Sequence, residues 1–191
     1  MNKDELRKIY LAKRLALTEN EHHALSLKIA DLFFQSVDLS SIQILHIYLP
    51  LQSKREPNTW LIIDRIQKEF SHIRLVIPKV IGEEMEHIFF EGPDQLEKST
   101  WGMVEPRFGV FAEPQNIDIV IVPLLAVDRQ GHRLGYGKGF YDRFLNTCRQ
   151  DCLKIGLSFF KPEHKIKDID NYDVPLTRCI TPAEVYQFHN Q

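Results

Sequence analysis

The chain has 191 residues, enough to bury one substantial core, and its formal net charge of −2 gives no overall basic field. That charge argues against nucleic acid or an anionic membrane as the partner. No apolar run approaches the roughly 20 residues of a membrane-spanning helix, and the charged N-terminus lacks the apolar stretch of a signal peptide. The three cysteines, Cys148, Cys152 and Cys179, fit no zinc pattern, so we expect free thiols and a reducing cytoplasm.

The N-terminal half of the sequence predicts two helices and then a strand–helix–strand unit. Strong helix formers cover residues 3–17, and Thr18 with Glu21 forms a capping box that begins a second helix ending near residue 36. Pro57 suits the first position of a third helix. The β-rich segments on either side of this helix are residues 42–49 and 73–78.

The C-terminal half predicts further strands and one helix. Residues 82–116 contain a strand at 85–90 and long loops, which we interpret as an antiparallel edge. The later elements are a buried strand at 117–122, a helix at 140–150 and strands at 154–159 and 178–181.

Alternating strands and helices predict a three-layer α/β/α fold with a mostly parallel, Rossmann-like sheet. We expect one domain over residues 1–191, with the helical pair 1–36 packed on it. Ligands of such sheets bind beyond the carboxyl ends of the strands. The loops 50–56, 78–82 and 123–139 all follow predicted strands, so we expect them to meet at one edge.

One stretch, residues 122–145, carries most of the functional information. It leads from a buried strand through a loop with Gly135, Gly137 and Gly139 into a helix. Glycine permits positive φ, so successive N–H groups can face one concave point, and Lys138 adds a positive charge. The pattern predicts a polyphosphate site, although it matches neither GxxxxGK[ST] nor GxGxxG. A glycine-rich connection without a ligand is the alternative.

Two aspartates are candidate Mg²⁺ ligands, because this ion takes oxygen ligands from one or two carboxylates and from phosphates. Asp142 lies in the first turns of the helix after the loop, where the helix dipole alone also favours a carboxylate. Asp173 lies in a loop after the next predicted strand. Spacing does not decide between a metal ligand and an ordinary loop residue there.

Four further candidates lie outside this stretch. Lys3 and Arg7 project from one face of the first helix, which is either solvated surface or, if the helix docks near the glycine loop, a phosphate clamp. Glu56 follows a strand end. There its carboxylate either interacts with the N-terminal dipole of the next helix or binds an amine of the substrate. Trp101 is either a core residue or a wall on which a flat ring stacks.

Together these residues resemble the 5-formyltetrahydrofolate cyclo-ligase family, also called methenyltetrahydrofolate synthetase. Residues 128–143 resemble its signature, residues 3–7 its opening basic helix, and residues 99–106 its Trp-Gly…Glu-Pro segment. Glu56 resembles its substrate-binding glutamate. The resemblance covers nearly the whole chain.

The resemblance implies ATP- and Mg²⁺-dependent closure of 5-formyltetrahydrofolate to 5,10-methenyltetrahydrofolate through a phosphorylated formyl group. We also expect a monomer whose only partner is a small folate, with or without a polyglutamate tail. Lys138 and Arg133 would be catalytic, and the ATP site would comprise Lys3, Arg7, Arg133, Leu134, Gly135, Tyr136, Gly137, Lys138, Gly139, Phe140 and Tyr141. The folate site would comprise Leu51, Glu56, Trp101, Tyr136 and Phe140, and the metal ligands would be Asp142 and Asp173.

Two residues depart from the family pattern, both near the implied metal ligands. Tyr172 stands where many relatives have histidine, and Thr177 where an aspartate is common. Two other functions stay open. A sugar-phosphate isomerase or acyl-CoA transferase on a similar sheet would leave Lys3 and Arg7 without a role. A non-catalytic nucleotide- or RNA-binding relative is disfavoured, because the candidate phosphate and metal positions are all filled and the sequence shows no basic stripe with exposed aromatics.

Overall fold

The structure, a computed structural model, describes residues 2–99 and 102–188. The helices are α1 (Lys3–Leu15), α2 (Glu19–Ser36), α3 (Trp60–Glu69) and α4 (Phe140–Thr147). The strands are β1 (Ile44–Ile47), β2 (Arg74–Ile81), β3 (Glu84–Phe89), β4 (Leu96–Lys98), β5 (Val104–Pro106), β6 (Ile119–Val122), β7 (Ala126–Val127), β8 (Arg133–Leu134), β9 (Leu153–Leu157), β10 (Arg178–Ile180) and β11 (Val185–Gln187).

Seven strands form the central sheet, in the order β11-β10-β9-β6-β1-β2-β3. The five inner strands are parallel, whereas β3 and β11 run antiparallel at the two edges. This order is that of a doubly wound sheet, in which the chain leaves β1 in one direction for β2 and later returns on its other side with β6. Loops diverge at such a point and leave a crevice, so the topology itself places a cavity above β1 and β6.

Helices cover both faces of this sheet. α2 and α3 pack on one face through Phe33, Ile63 and Ile66, which meet inward-facing strand residues such as Leu45 and Ile121. α4 covers the other face through Phe144 and Leu145, which pack with Val120 and Val122 of β6. The predicted α/β/α fold with a mostly parallel sheet and an antiparallel edge is therefore confirmed.

The N-terminal helix lies at the rim of the sheet. Leu6 and Tyr10 of α1 pack with Leu125, Ala126 and Leu134, which belong to the β7–β8 hairpin and the loop before it. Its first turn is fixed by a capping box, because the Asn2 side chain accepts from Glu5 N at 2.9 Å and the Glu5 carboxylate accepts from Asn2 N at 3.0 Å. The predicted box of Thr18 and Glu21 is present at the start of α2.

The structure corrects several element boundaries. α3 begins at Trp60 and not at Pro57, because Asn58 Oδ1 accepts from Trp60 N and the Thr59 hydroxyl donates to Tyr48 O at 2.7 Å. The Asn58 bond caps the helix start locally, and the Thr59 bond ties it to the residue that follows β1. The strands β4, β5, β7, β8 and β11 were not predicted, since two or three residues are too few to show an alternating pattern. No helix among residues 2–99 and 102–188 is long and apolar enough to cross a membrane.

A pair of buried histidines lies between the sheet and α4. His87 Nδ1 of β3 is 3.3 Å from His46 Nε2 of β1, and the Phe144 ring stacks on His87 at 3.8 Å between ring centroids. Burial lowers the pKa of His87 to about 4 and that of His46 well below its ordinary range. Both rings are therefore neutral at pH 7 in the folded chain.

We predict that these histidines make the fold acid-sensitive above the usual carboxyl range. The unfolded chain binds protons near pH 6.5 and the folded chain does not, so stability is complete above that pH and falls as pH drops toward 4. The loss is at most about 1.4 kcal/mol per pH unit for each histidine. Urea unfolding between pH 7 and 5 measures it. His87→Asn should flatten the slope, while His23→Gln, at an exposed position, should not.

Candidate active site

The carboxyl ends of the central strands open into a cavity of about 730 Å³. The loops after β1 and β6 contribute to its walls, as predicted from the strand ends. The predicted loop 78–82 is mostly strand instead, because β2 continues to Ile81, and Pro78 and Val80 line the cavity from that strand. Every predicted site residue within residues 2–99 and 102–188 lines it: Lys3, Arg7, Leu51, Glu56, Arg133, Leu134, Gly135, Tyr136, Gly137, Lys138, Gly139, Phe140, Tyr141, Asp142 and Asp173. Trp101 lies outside the described residues.

The glycine loop has the conformation that a phosphate cradle needs. Gly137 and Gly139 have φ of +85° and +69°, values that side chains rarely adopt, whereas Gly135 does not. Gly139 also caps α4, so the first N–H groups of this helix lie at the loop and have no intrahelical acceptors. The Lys138 side chain is exposed in the same loop. Backbone N–H groups, a helix N-terminus and one lysine thus share one wall of the cavity.

Two cations of α1 reach this loop from the opposite end of the chain. Arg7 Nε donates to Gly135 O at 3.0 Å, and its guanidinium lies against Gly137. Lys3 Nζ donates to Asp173 Oδ2 at 2.8 Å and lies 3.6 Å from Asp170 Oδ2. α1 therefore docks near the glycine loop, the condition that separates a phosphate clamp from a solvated surface pair.

The two candidate metal ligands are both paired with cations. Arg133 donates to Asp142 Oδ1 at 2.6 Å and to Val174 O at 2.6 Å, and Asp142 Oδ1 also accepts from Val174 N at 3.2 Å. Burial acts to raise the pKa of Asp173, but the Lys3 hydrogen bond, a backbone bond and the charges of Lys3 and Arg133 outweigh it and lower the pKa. Asp173 is thus suited to stay ionised, and both carboxylates face cations.

Asp142 and Asp173 are too few to bind Mg²⁺ by themselves, but they fit an ion whose other ligands are phosphate and water oxygens. Among the described residues no three His, Cys, Asp or Glu side chains form a cage for a metal. Asp142 and Asp173 each use one oxygen for the pairs above. Mg²⁺ commonly takes one or two carboxylates and completes its six ligands with phosphate oxygens and water. The donor set fits that arrangement and not an all-protein site.

A buried carboxylate lies at another part of the same cavity. Glu56 is only 3% exposed; its Oε1 accepts from the Tyr136 hydroxyl at 2.6 Å, and its Oε2 accepts from Leu51 N at 2.8 Å. Burial raises the pKa of Glu56, although those two hydrogen bonds and the charges of Arg14 and Lys54 oppose the rise. Glu56 thus presents two oriented acceptor oxygens in a water-poor setting.

Two tyrosine hydroxyls near Glu56 are buried without a hydrogen-bond partner among the described residues. They belong to Tyr48, at the end of β1, and Tyr141, in the first turn of α4, and both side chains line the cavity. Burying a hydroxyl without a partner costs free energy. Because both hydroxyl oxygens are closed off from solvent, they lie behind the surface of the cavity and are not open contacts for a ligand.

Much of the remaining wall of the cavity is apolar, although Lys54 and Glu105 also line it. The apolar part combines Leu51, Pro78, Val80, Met85, Met103, Val104 and Phe140. Apolar walls with a few oriented polar groups are typical of sites for flat organic ligands. One cavity therefore joins a phosphate-type cradle, a buried carboxylate and a slot for an apolar ring.

Asp128, at the start of the motif, has a structural role instead. It is fully buried, and its carboxylate accepts from the N–H groups of Gln130, His132 and Ile166. These bonds hold the β7–β8 hairpin, whose turn residue Gly131 has φ of +88°. Asp128 thus anchors the hairpin that leads into the glycine loop, and it does not itself line the cavity.

A model of the 5-formyltetrahydrofolate cyclo-ligase family matches residues 1–182. The chain belongs to this family. It is 33% identical over 162 residues to a 5-formyltetrahydrofolate cyclo-ligase of Mycoplasma pneumoniae, a match that covers 83% of this chain and 86% of the relative. A Mycoplasma genitalium relative of the same name is 26% identical and covers 94% of this chain and 98% of its own.

Solved cyclo-ligase-family structures share the fold. The NMR structure of the Aquifex aeolicus 5,10-methenyltetrahydrofolate synthetase superposes with a TM-score of 0.85 at 31% identity and covers all of this chain and 95% of its own. A Mycoplasma pneumoniae methenyltetrahydrofolate synthetase gives 0.77 at 29% identity, covering 95% and 99%. The resemblance noted from the sequence is thus confirmed, and with it the assignment to an enzyme family of ligases.

Sequence reasoning missed several polar residues of the cavity region, which are Arg14, Tyr48, Lys54, Glu105 and Asp170. Arg14 continues the face of α1 that carries Lys3, Arg7 and Tyr10, so helical spacing alone would have placed it toward the site. Tyr48 follows a strand whose sequence predicts only core residues. Nothing in the sequence shows that its hydroxyl lacks a hydrogen-bond partner.

We predict opposite effects for two alanine substitutions in the glycine loop. In Gly137→Ala the new Cβ would lie 3.2 Å from Arg7 Cζ at positive φ, which should cost about 1–2 kcal/mol of unfolding free energy. In Gly135→Ala the Cβ would meet nothing within 4 Å, so stability should stay equal or rise slightly. Urea unfolding of both variants distinguishes the positions. Equal losses would contradict the loop conformation.

Proposed function

We propose that this chain catalyses the ATP-dependent closure of 5-formyltetrahydrofolate to 5,10-methenyltetrahydrofolate, releasing ADP and phosphate. One observation carries the proposal: the cavity joins a cradle suited to phosphates with the buried carboxylate of Glu56 beside an apolar wall. The family and the names of its relatives point to the same reaction. A nucleotide-only site would not need the second half of this cavity.

The Glu56 end suits the pterin ring of a folate. The pyrimidine half of that ring presents an amide N–H and an amino group side by side, and a carboxylate accepts from such a pair with both oxygens. In this chain each oxygen of Glu56 is already oriented by one donor, from Tyr136 or from Leu51. The apolar wall provides a surface for the face of the ring.

The glycine-loop end suits the phosphates of ATP. Lys138 is the cation there with no side-chain partner among the described residues, since Lys3, Arg7 and Arg133 are paired with carboxylates. A polyphosphate that enters must share these cations with Asp142 and Asp173. Asp142 and Asp173 would hold a divalent cation, and Mg²⁺ bound there would offset the resulting repulsion.

The reaction requires activation of a poor leaving group. The formyl oxygen on N5 attacks the γ-phosphorus, ADP leaves, and the oxygen becomes a phosphate ester of an iminium-type carbon. N10 then attacks that carbon, its proton leaves, and the C–O bond breaks to release phosphate and give the methenyl bridge. Such transfers depend mainly on in-line positioning and charge neutralisation, for which Arg133 and Lys138 are placed at the cradle.

The proposal predicts turnover that depends on both substrates. Purified protein mixed with 5-formyltetrahydrofolate, ATP and Mg²⁺ should produce the near-ultraviolet absorbance of the methenyl product. Lys138→Ala should raise the KM for ATP by at least about tenfold, because a charge-assisted contact to phosphate is lost. Lys8→Gln, at an exposed position of α1, serves as a control. Nucleotide binding without any turnover would favour the non-catalytic alternative.

A second prediction concerns the metal. Asp142→Asn keeps an oxygen that accepts from Arg133 but removes the charge, so the Mg²⁺ concentration for half-maximal rate should rise at least about tenfold. Asp170→Asn, at an exposed neighbour in the same cavity, should change it little. An unchanged Mg²⁺ dependence in Asp142→Asn would leave Asp142 with only the task of holding Arg133.

A further inference from the structure

Arg14 of α1 carries a buried charge close to the cavity. The residue is only 2% exposed, and its guanidinium donates to Lys54 O at 2.6 Å, to Leu124 O at 3.0 Å and to the Tyr136 hydroxyl. These acceptors belong to three different loops, after β1, after β6 and after β8. Among the described residues no carboxylate forms an ion pair with it.

A buried guanidinium without a carboxylate partner is costly, so its position calls for a physical explanation. Backbone carbonyls satisfy two of its donors, and a neutral side chain with N–H groups would serve them equally. The third contact is different, because it joins the charge to the hydroxyl that touches Glu56. The positive charge of Arg14 also opposes protonation of that carboxyl.

The chemistry of these groups fixes the direction of each hydrogen bond. A guanidinium can only donate, so the Tyr136 oxygen accepts from Arg14. The Tyr136 O–H is then directed to Glu56 Oε1, 2.6 Å away, where an ionised carboxylate accepts it. The relay Arg14–Tyr136–Glu56 therefore favours the charged, acceptor-only form of Glu56.

We propose that Arg14 is a positioning residue for the substrate: through Tyr136 it orients Glu56 and keeps it ionised for an N–H-rich heterocycle. The proposal rests on the function proposed above, in that Glu56 meets the pterin ring. It assigns Arg14 no contact with ATP, in contrast to Lys3 and Arg7 on the same helix.

The environment of Glu56 contains few other groups that could titrate or carry charge. From the surrounding elements the groups that face it are Arg14, Lys54, Tyr48, Tyr136 and Tyr141, and His22 Nε2 contacts its backbone carbonyl at 2.8 Å. The tyrosines have raised pKa values because of burial and of Glu56 itself, so they stay neutral at ordinary pH. Removal of Arg14 therefore changes the principal positive charge in hydrogen-bonding contact with the relay.

The test separates the two substrates. In Arg14→Gln the KM for 5-formyltetrahydrofolate should rise about tenfold or more, with the KM for ATP changed less than about threefold. The acid limb of kcat/KM for the folate should move to higher pH, because Glu56 protonates more easily, so that activity is partly recovered as pH rises. Arg7→Gln should show the reverse preference, acting on ATP. Arg14→Lys, which keeps the charge, should restore the acid limb.

Two further measurements keep the test decisive. Tyr136→Phe breaks the relay without removing the charge, and its effect should not add to that of Arg14→Gln. Carbon-13 NMR of Glu56 in the free protein reports its pKa directly, even if the wild type shows no turnover and the proposed reaction fails. Equal increases in both KM values with an unshifted Glu56 pKa, in a variant that unfolds cooperatively, would reduce Arg14 to a structural tie and overturn the proposal.

Discussion

The charged half of the cavity depends on where α1 docks. Leu6 and Tyr10 bury against the β7–β8 hairpin, and this apolar contact carries Lys3, Arg7 and Arg14 to the site. The cations then meet partners far along the chain: Lys3 bonds to Asp173, and Arg7 bonds to Gly135 O. Each of these polar contacts is weak alone in the presence of water. The burial of Leu6 and Tyr10 holds α1 in place, so that the polar contacts of Lys3 and Arg7 form at the same time.

Electrostatic pairing gives the two ends of the cavity different characters. Near the glycine loop, Lys3 and Arg133 are paired with Asp173 and Asp142, so the wall is nearly neutral before a ligand arrives. At the other end Glu56 is buried. Its negative charge is balanced by the positive charge of Arg14, which is linked to it through hydrogen bonds of the Tyr136 hydroxyl. The first arrangement suits an anion that arrives with its own cation, and the second suits a neutral ring with N–H donors.

The sequence predicted the sheet and the glycine loop because both depend on local signals, whereas the family resemblance supplied other cavity residues such as Leu51, Arg133 and Tyr136. Buried strands such as residues 119–122 appear as apolar runs, and the glycine loop shows its alternate glycines before a helix. What sequence could not show is pairing across distance. Helical spacing puts Arg14 on the same face of α1 as Lys3 and Arg7. Its hydrogen bonds, like the roles of Tyr48 and the His46–His87 pair, depend on which side chains meet in three dimensions, and spacing along the chain does not encode that. Short strands such as β7 and β8 were not predicted, because two residues are too few to show an alternating pattern.

The docking of α1 also has a consequence for how the chain is made. The surfaces that receive Leu6 and Tyr10 lie beyond residue 124, and the partner of Lys3 lies at Asp173. During synthesis the first helix emerges long before these surfaces exist, so its apolar face stays in contact with solvent or chaperones until most of the chain has left the ribosome. Long-range closure of this kind slows folding. The charged half of the cavity therefore cannot be complete before residue 173 is available, and a ligand that bridges α1 and the glycine loop would stabilise the docked helix.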